Sequence, residues 1–406
     1  MNLTIAKLKN ISANQAINYL FVLYALAVPI SKALIIFTTI LMAIIWFFSD
    51  NLKQKLNFLK SNTTLLFLLA FVVVSLFSLL WSNDPVGGLV YIRKYWYFLI
   101  IPIVATTIEK KYLEFAISAF LIGMFLSELL SYAIFFELIQ WKETTPQDPS
   151  PFMNHIQYSM FLAFTSLLLL NRYFFHESTK LKILYLVFFI TATSNLFING
   201  GRTGQIAFLF SIFLVTLFHI KNKFMAILGT VVIIIATLFM AYNFSPNFKY
   251  RAAVGIEDFQ KMVEQENYCT SLGLRVGVLK IGSEIFLDNP LFGIGITNDM
   301  NTAHEYISKH TSHMKCVETM PTYHNCFMQV AVDLGIFGLF LYIMIFYSLV
   351  KLKIQEKEYK NLIIIFVSVF TISSFSINMI HIIFPMSLFS LFVGIFIAQN
   401  RIEHAA

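Results

Sequence analysis

The sequence predicts an all-α polytopic membrane protein with about 12 transmembrane helices and one long loop between spans 9 and 10. Apolar residues make up 58% of the 406 residues and charged residues only 13%. Soluble domains contain about 45–50% apolar residues and about 25% charged residues. The mean hydropathy is +0.72, which about twelve spans of some 20 residues would explain. The composition excludes a soluble enzyme and a disordered chain, and 3 cysteines are too few for a disulfide-rich secreted scaffold.

Hydrophobic runs separated by polar breaks predict the helices that cross the bilayer. They lie near 14–29, 32–48, 64–81, 88–107, 112–136, 155–170, 183–199, 204–219, 224–243, 325–350, 361–379 and 383–399. Only the break at 29–32 separates the first two, and Ala25-Leu26-Ala27 resembles a signal-peptidase site. Cleavage there would remove the first span and leave the remaining topology unchanged.

Lysine and arginine predict the orientation of the spans, because short cytoplasmic loops carry an excess of both. One set of loops holds 17 of the 29 basic residues, including Lys7 and Lys9. The opposite set holds Lys32, Arg93, Lys94, Lys142 and Arg202. The remaining seven lie in the long loop, where charge has little influence. We therefore expect both termini in the cytoplasm and the segments 82–88, 137–154, 200–204 and 244–323 outside. The net charge of +7 belongs to these loops and does not indicate nucleic-acid binding.

The spans and the long loop divide the chain into three parts. Residues 1–243 hold spans 1–9, residues 244–323 form the external loop with short helices, and residues 324–406 hold spans 10–12 and a cytoplasmic tail. A loop of about 80 residues is too long for a passive connector. Its segment 272–287 shows helical apolar spacing that stops at Asn289-Pro290. We expect the loop to be folded and to lie on the membrane surface.

Two arginines on the outer side have surroundings that suit anion binding. Arg202 lies in the sequence NGGRTG at 199–204, where glycines allow backbone to approach a ligand closely and the guanidinium offers a fork of donors to phosphate. A tight turn with a snorkelling arginine is the alternative. Arg275 interrupts an apolar helical face. The alternative is a surface helix, which tolerates a single arginine of this kind.

The entry of span 10 adds a histidine to this set. The sequence DNPLFGIG at 288–295 predicts a helix stop and a shaped loop. His324 lies at the predicted membrane boundary, where a histidine suits the role of a base or of a phosphate ligand. A boundary histidine with neither role is the alternative. Gly335 and Gly338 favour close helix packing. Asp333 lies half a helical turn away from His324, so we expect its partner on a neighbouring helix.

Arg93 and Lys94 open span 4 on the outer side, against the positive-inside pattern. They suit an anionic pocket, with snorkelling as the equal alternative. The sequence predicts no metal site, because no Asp-x-Asp occurs and the spacing of His304, His310, His313 and His324 fits no metal site. It also predicts no cofactor, since P-loop and G-x-G-x-x-G motifs are missing. Cys269 and Cys316 both lie in the outer loop, where a disulfide is one of several open pairings.

Taken together, these elements resemble the bacterial O-antigen ligase/polymerase superfamily of membrane glycosyltransferases. The twelve spans, the late external loop, the glycine-rich turn with Arg202, Arg275 before 289–295, and His324 with its following glycines occur in the family's order. The resemblance implies a multi-pass protein of the bacterial inner membrane with a periplasmic active site. It also implies a glycan donor linked to undecaprenyl diphosphate, used without metal or cofactor. Its partners would be that donor, the lipid A–core acceptor and the bilayer, with no nucleic acid.

Within the superfamily, ligases pass the glycan to lipid A–core, polymerases to another repeat unit, and a related group to protein. Polymerases often carry R-x10-G in external loops, but here positions 213 and 286 are both phenylalanine. The spacing after His324 also resembles the ligase pattern. Protein-targeting members usually extend into a further external region near the C-terminus, whereas this sequence ends seven residues after the last predicted span. These features favour a ligase.

The resemblance and the chemistry together predict individual roles. Arg202 and Arg275 would bind the diphosphate leaving group, and His324 would be catalytic, as the base or orienting group for the acceptor hydroxyl. Arg93, Lys94 and His155 are candidates for the pocket wall. A lipid-carrier transporter is the competing class, but it should place polar or broken helices near the bilayer midplane. Here arginine and histidine gather at one face, which favours chemistry at the outer surface.

Overall fold

The computed structural model describes residues 12–49, 51–219, 221–297, 300–310 and 312–405. These residues form α-helices and short 3-10 helices without any β-strand, which confirms the all-α class. Lys7 and Lys9, which contributed to the charge comparison, lie outside the described residues, and so do the side chains of His310 and His313. The boundaries at 243 and 323 stay predictions.

Among the described residues, thirteen α-helices cover the twelve predicted spans, because a pair of helices covers the fourth span. They are α1 Ala13–Ala27, α2 Lys32–Phe47, α4 Thr63–Phe77, the pair α5 Pro85–Ile92 and α6 Ile100–Thr107, α7 Lys110–Phe135, α8 His155–Phe175, α9 Thr179–Ile198, α10 Arg202–His219, α11 Lys223–Phe244, α15 Cys326–Val350, α16 Lys357–Ser374 and α17 Ile383–Ala405, with α3 Leu52–Ser61, α12 Pro246–Gln265, α13 Ser271–Asp288 and α14 Asn301–His310 between them. Short 3-10 helices occur at Ser78–Leu80, Arg93–Leu99 and Ser312–Thr319.

Seven of the described helical segments are long and apolar enough to cross a membrane, or eight if the bent pair α2–α3 is one span. The protein is therefore a polytopic membrane protein. The number of twelve spans and the placement of the long loop between spans 9 and 10 remain predictions. Two details differ from expectation: α3 was not predicted, and α16 ends at Ser374 although the apolar run continues to 379.

The core of the helical body lies around α17. Its residues from Phe384 to Gln399 are buried, as expected for a helix that is apolar on all sides. It packs against α6 and the 3-10 helix Arg93–Leu99. On the other side of the body, α8 packs against α9, α10 and α16. This packing brings the first residues of α8 and α10, and hence His155 and Arg202, to the same end of the body.

The long loop is folded, as predicted, and has its own small core. Helix α13 confirms the helix predicted at 272–287; the Thr270 hydroxyl caps its start by accepting the Gly273 amide at 3.1 Å, and it ends before Pro290, which cannot continue a helix. Buried apolar side chains of α13 and α14 meet those of the 3-10 helix Ser312–Thr319. Cys269 and Cys316 form a disulfide, so one of the pairings left open is present.

The segment that follows α13 attaches the loop to α15. The Ile294 amide donates to the Val332 carbonyl at 2.9 Å, and the Ile336 amide donates to the Pro290 carbonyl at 2.8 Å. These bonds replace helical ones, because Gly335 has a φ of +66° and interrupts α15. A Cβ there would lie 2.2 Å from the Leu291 carbonyl oxygen. The expectation of helix packing was therefore wrong for Gly335, which packs against loop backbone.

Asp333 also differs from expectation. Its carboxylate accepts from Nε2 of Gln329, four residues earlier in the same helix, at 3.2 and 3.0 Å, and not from a neighbouring helix. Residues four apart face the same side of a helix, so no second helix is needed. The side-chain Oε1 of Gln329 accepts in turn from the Tyr323 backbone amide at 3.5 Å. The buried carboxyl thus supports the backbone that leads to His324.

Candidate active site

Three arginines from different helices converge at one end of the molecule. Arg202 is the first residue of α10, Arg251 lies on α12 and Arg275 on α13. Nη1 of Arg202 lies 2.9 Å from the position that a Cβ would take at Gly255, one turn after Arg251. Burial lowers the pKa of Arg202 and of Arg275, and the positive charge of Arg251 lowers both further. The pKa of Arg275 is also lowered by Arg202. The three guanidiniums therefore lie close enough to repel one another.

We define Arg202, Arg251 and Arg275 as the arginine cluster. Within the described ranges, none of the three forms an ion pair. Asp258 raises the pKa of Arg202 from a distance, but its carboxylate accepts the Leu272 amide at 3.1 Å. All three arginines are partly buried. Uncompensated guanidiniums withdrawn from water attract an anion of high charge.

His324 lies beside this cluster. Burial lowers the pKa of its imidazole, and the positive charge of Arg275 lowers it further, so the ring is neutral near pH 7. Its backbone has a φ of +48°, an uncommon left-handed conformation outside glycine and asparagine. The Thr322 hydroxyl accepts its amide at 3.2 Å, and the Asn325 side chain caps α15 immediately afterwards. The structure thus brings Arg202, Arg275 and His324 together.

His155 approaches the glycine-rich turn from α8. Its Nδ1 lies 3.1 Å from Oδ2 of Asp148. A Cβ at Gly201 would lie 2.3 Å from the His155 carbonyl oxygen, and one at Gly204 would lie 2.0 Å from the carbonyl oxygen of Ser159. These two glycines therefore allow α10 to approach α8, and not a ligand as the sequence suggested. Gly200 faces Arg251, whose Nη2 would lie 3.4 Å from a Cβ there.

Asp148 carries a negative charge at neutral pH. Burial raises the pKa of this carboxyl, but hydrogen bonds from His155 and Ser150 and the charges of His155 and Arg251 outweigh that effect. The pKa consequently lies below its usual range. The carboxylate and His155 form a pair next to, but not within, the arginine cluster.

Arg93 and Lys94 have other neighbours. The Lys94 ammonium lies 3.4 Å from Nδ1 of His381, whose ring stacks on Tyr91 with centroids 3.9 Å apart. Burial and the charge of Lys94 lower the pKa of His381 to about 4. Arg93 lines an apolar groove of about 950 Å³ between α4 and the stretch from α5 to α6. Arg93 therefore borders an apolar groove, whereas Lys94 lies beside His381.

Sequence reasoning missed Arg251, Asp148 and His381. Arg251 lies on an ordinary amphipathic helix, and its position among seven loop cations, which were set aside in the charge comparison, concealed it. One signal was available: Asn247 and Arg251 are four residues apart, so they share a helix face. Among the described residues, no three His, Cys, Asp or Glu side chains are grouped as a metal site; independence of metal stays a prediction.

The fold and the site define a multi-pass membrane protein with a cluster of three partly buried arginines near two histidines. Residues 187–343 match the family described as O-Antigen ligase. This match confirms, over that part of the chain, the resemblance to the O-antigen ligase/polymerase superfamily. The matched segment contains the whole arginine cluster, the disulfide and His324. No curated protein matches the chain.

Proposed function

We propose that the protein is an O-antigen ligase. It transfers a glycan from undecaprenyl diphosphate to a sugar hydroxyl of lipid A–core, on the periplasmic face of the inner membrane. The observation that carries the proposal is the arginine cluster, which has no carboxylate partner in the described part of the chain. A diphosphate would supply the missing negative charge. Polymerase and protein glycosyltransferase activities of the same superfamily are the alternatives.

The proposed reaction places the largest change in charge at the arginines. Attack of the acceptor oxygen on the anomeric carbon breaks the bond from that carbon to the diphosphate oxygen, and the leaving diphosphate takes the electron pair. Fixed cations aimed at developing charge in a site of lowered dielectric stabilise such a transition state. Back-side attack inverts the anomeric centre. The neutral imidazole of His324, beside Arg275, contacts the reacting groups as the catalytic residue.

Donor binding and single-turnover transfer, measured on the same purified variants, test these roles. Arg202→Ala and Arg275→Ala should insert and fold but lose donor binding, and Arg→Lys should restore little, because lysine lacks the planar fork. His324→Ala should lose transfer while still binding donor. Normal donor binding by both arginine variants would refute the diphosphate site. Lost donor binding by His324→Ala would make that histidine a phosphate ligand.

Lipopolysaccharide from a deletion strain separates the ligase from its alternatives. A ligase deletion leaves the core without long glycan while carrier-linked polymer accumulates, whereas a core with a single repeat indicates a lost polymerase. Transfer should survive EDTA, and activity restored only by added Mg²⁺, Mn²⁺ or Zn²⁺ would contradict the metal-free mechanism. A reporter fused after Lys223 should be cytoplasmic and one within 255–310 periplasmic. The reverse result would place the arginine cluster on the wrong side.

A further inference from the structure

The pair formed by His155 and Asp148 has the geometry of an oriented base. Nδ1 of His155 lies 3.1 Å from Oδ2 of Asp148, and the two side chains remain 31% and 41% exposed. Nε2 of His155 makes no hydrogen bond within the part of the chain that the structure describes. A histidine with one ring nitrogen on a carboxylate and the other accessible is prepared to accept a proton.

A chain of hydrogen bonds joins this pair to the turn that carries Arg202. Oδ1 of Asp148 accepts the Ser150 hydroxyl at 2.6 Å, and that hydroxyl oxygen accepts Nδ2 of Asn199 at 2.7 Å. Oδ1 of Asn199 accepts the Gly201 amide at 3.0 Å. The carboxylate is thus fixed relative to Arg202, which follows directly after Gly201.

Helix α12 joins the same pair to Arg251. Nδ2 of Asn247 donates to the carbonyl of Gln147 at 3.2 Å and to that of Ile198 at 3.0 Å, so the start of α12 is held against both loops. Arg251 follows one turn later on the same face. The pair and the arginine cluster are consequently built on shared elements, and a substrate bound at one lies near the other.

His324 lacks such a partner. Its side chain hydrogen-bonds to no carboxylate among the residues described, and its neighbour is the cation Arg275. A base next to a carboxylate gains stabilisation as it takes a proton, whereas a base next to a guanidinium is opposed by like charge. His155 therefore has the surroundings of a proton acceptor, whereas the charge beside His324 opposes protonation.

We infer that His155 accepts the proton of the acceptor hydroxyl and that Asp148 is its positioning residue. This assignment rests on the proposed glycan transfer. The acceptor oxygen forms the new bond to the anomeric carbon, the bond from that carbon to the diphosphate breaks, and the electron pair leaves with the diphosphate. The acceptor proton moves to Nε2 of His155 and is then released to water. No oxidant, metal or further reactant is required.

The test uses the full-length protein with undecaprenyl-diphosphate-linked glycan and lipid A–core. Donor binding and the single-turnover rate are measured between pH 5 and 9 for wild type, His155→Gln, Asp148→Asn and His324→Gln. His176→Gln, at the far end of α8, is the matched control. The charged groups next to the pair are Arg251 on α12 and Arg202 on α10, which follows Gly201, and neither of them is changed.

His155→Gln should bind donor normally, lose transfer by about 10²- to 10⁴-fold and lose the acid limb of the pH profile. Asp148→Asn should shift that limb to lower pH, because the imidazolium loses its carboxylate. Added imidazole should partly restore His155→Ala, which separates a lost base from a folding defect. Wild-type transfer by His155→Gln, or an unmoved acid limb in Asp148→Asn, would overturn the assignment while leaving the ligase proposal intact. A wild-type protein that transfers nothing to lipid A–core would overturn both.

Discussion

Arg172 and Arg275 are both withdrawn from water, but their surroundings differ in charge. Arg172 is 7% exposed and pairs with Glu114 at 2.9 Å and Glu358 at 2.8 Å. Arg275 is partly buried beside two further arginines, without a carboxylate partner in the described ranges. A buried cation with its counter-ions in the chain stabilises the fold. One without them supports the proposal that an anionic ligand binds there.

The surroundings of Arg172 support the structural interpretation. The Tyr359 hydroxyl donates to Glu114 at 2.6 Å, and Asn361 donates to Asn171, the neighbour of Arg172, at 2.6 Å. These contacts join α7, α8 and α16 at the end of the body opposite His155 and Arg202. The predicted topology places this end at the cytoplasmic side, away from the proposed donor site.

Arg172→Met should have the largest effect on stability. The change leaves Glu358, which is 15% exposed, without its cation, and breaking a buried ion pair costs about 3–5 kcal/mol. Glu114, which is 47% exposed, contributes less because solvent screens it. Arg275→Met should leave the unfolding temperature unchanged or raised, because it relieves repulsion between like charges. Thermal unfolding of both purified variants measures the difference. Equal destabilisation by the two changes would remove the distinction between the two regions.

Loss of the disulfide should have the second-largest effect on stability, and only in the outer region. Cys269 and Cys316 are 47 residues apart, and crosslinks of this kind typically stabilise by about 2–4 kcal/mol. Cys269→Ser should therefore accelerate hydrogen exchange in α13 and α14 while the amides around Arg172 stay protected. Cys316→Ser should match it, and the double variant should add nothing. Additive effects would mean that the crosslink is not the cause.

Arg251→Ala tests whether the third arginine belongs to the site. A charge-assisted hydrogen bond contributes about 1.5–3 kcal/mol, so transfer should fall by roughly 10- to 150-fold with little change in stability. Lys249→Ala is the matched control, because Lys249 is exposed on the same helix. Equal activity of the two variants would show that the cluster has only two functional members.

The smallest effect concerns the pH dependence of stability. Because burial and Arg275 lower the pKa of His324 below 6.5, the unfolded chain binds more protons than the folded one just below that pH. Stability should therefore fall as the pH decreases through 6.5 towards the folded-state pKa. His324→Gln should lose this part of the slope. An unchanged slope, measured by unfolding between pH 5 and 8, would contradict the lowered pKa.

The helices could be predicted because a bilayer requires backbone groups to be satisfied within each span. Every predicted span falls on a helix for this reason. Helix α3 was missed because its ten residues include three lysines and are too short and polar to indicate a span. The break at Gly335 was missed because it depends on the segment 290–296, whose contact with α15 is tertiary.

The site was predictable where local sequence marks it. Arg202 and Arg275 lie near glycine-rich or proline-containing breaks, and His324 lies at a span boundary. Arg251 and Asp148 carry no local mark, because their role depends on which helix ends meet. The partner of Asp333 was expected on a neighbouring helix, and Gln329, four residues earlier on the same helix, was overlooked.

The uncompensated arginine cluster has a consequence for turnover. In the proposed transfer, the donor diphosphate carries two negative charges, and the released lipid diphosphate carries up to one more. The same guanidiniums should therefore hold the product more tightly than the donor, and product inhibition follows. Successive cycles would be slower than the first, and removal of the terminal phosphate from the released carrier would restore the initial rate.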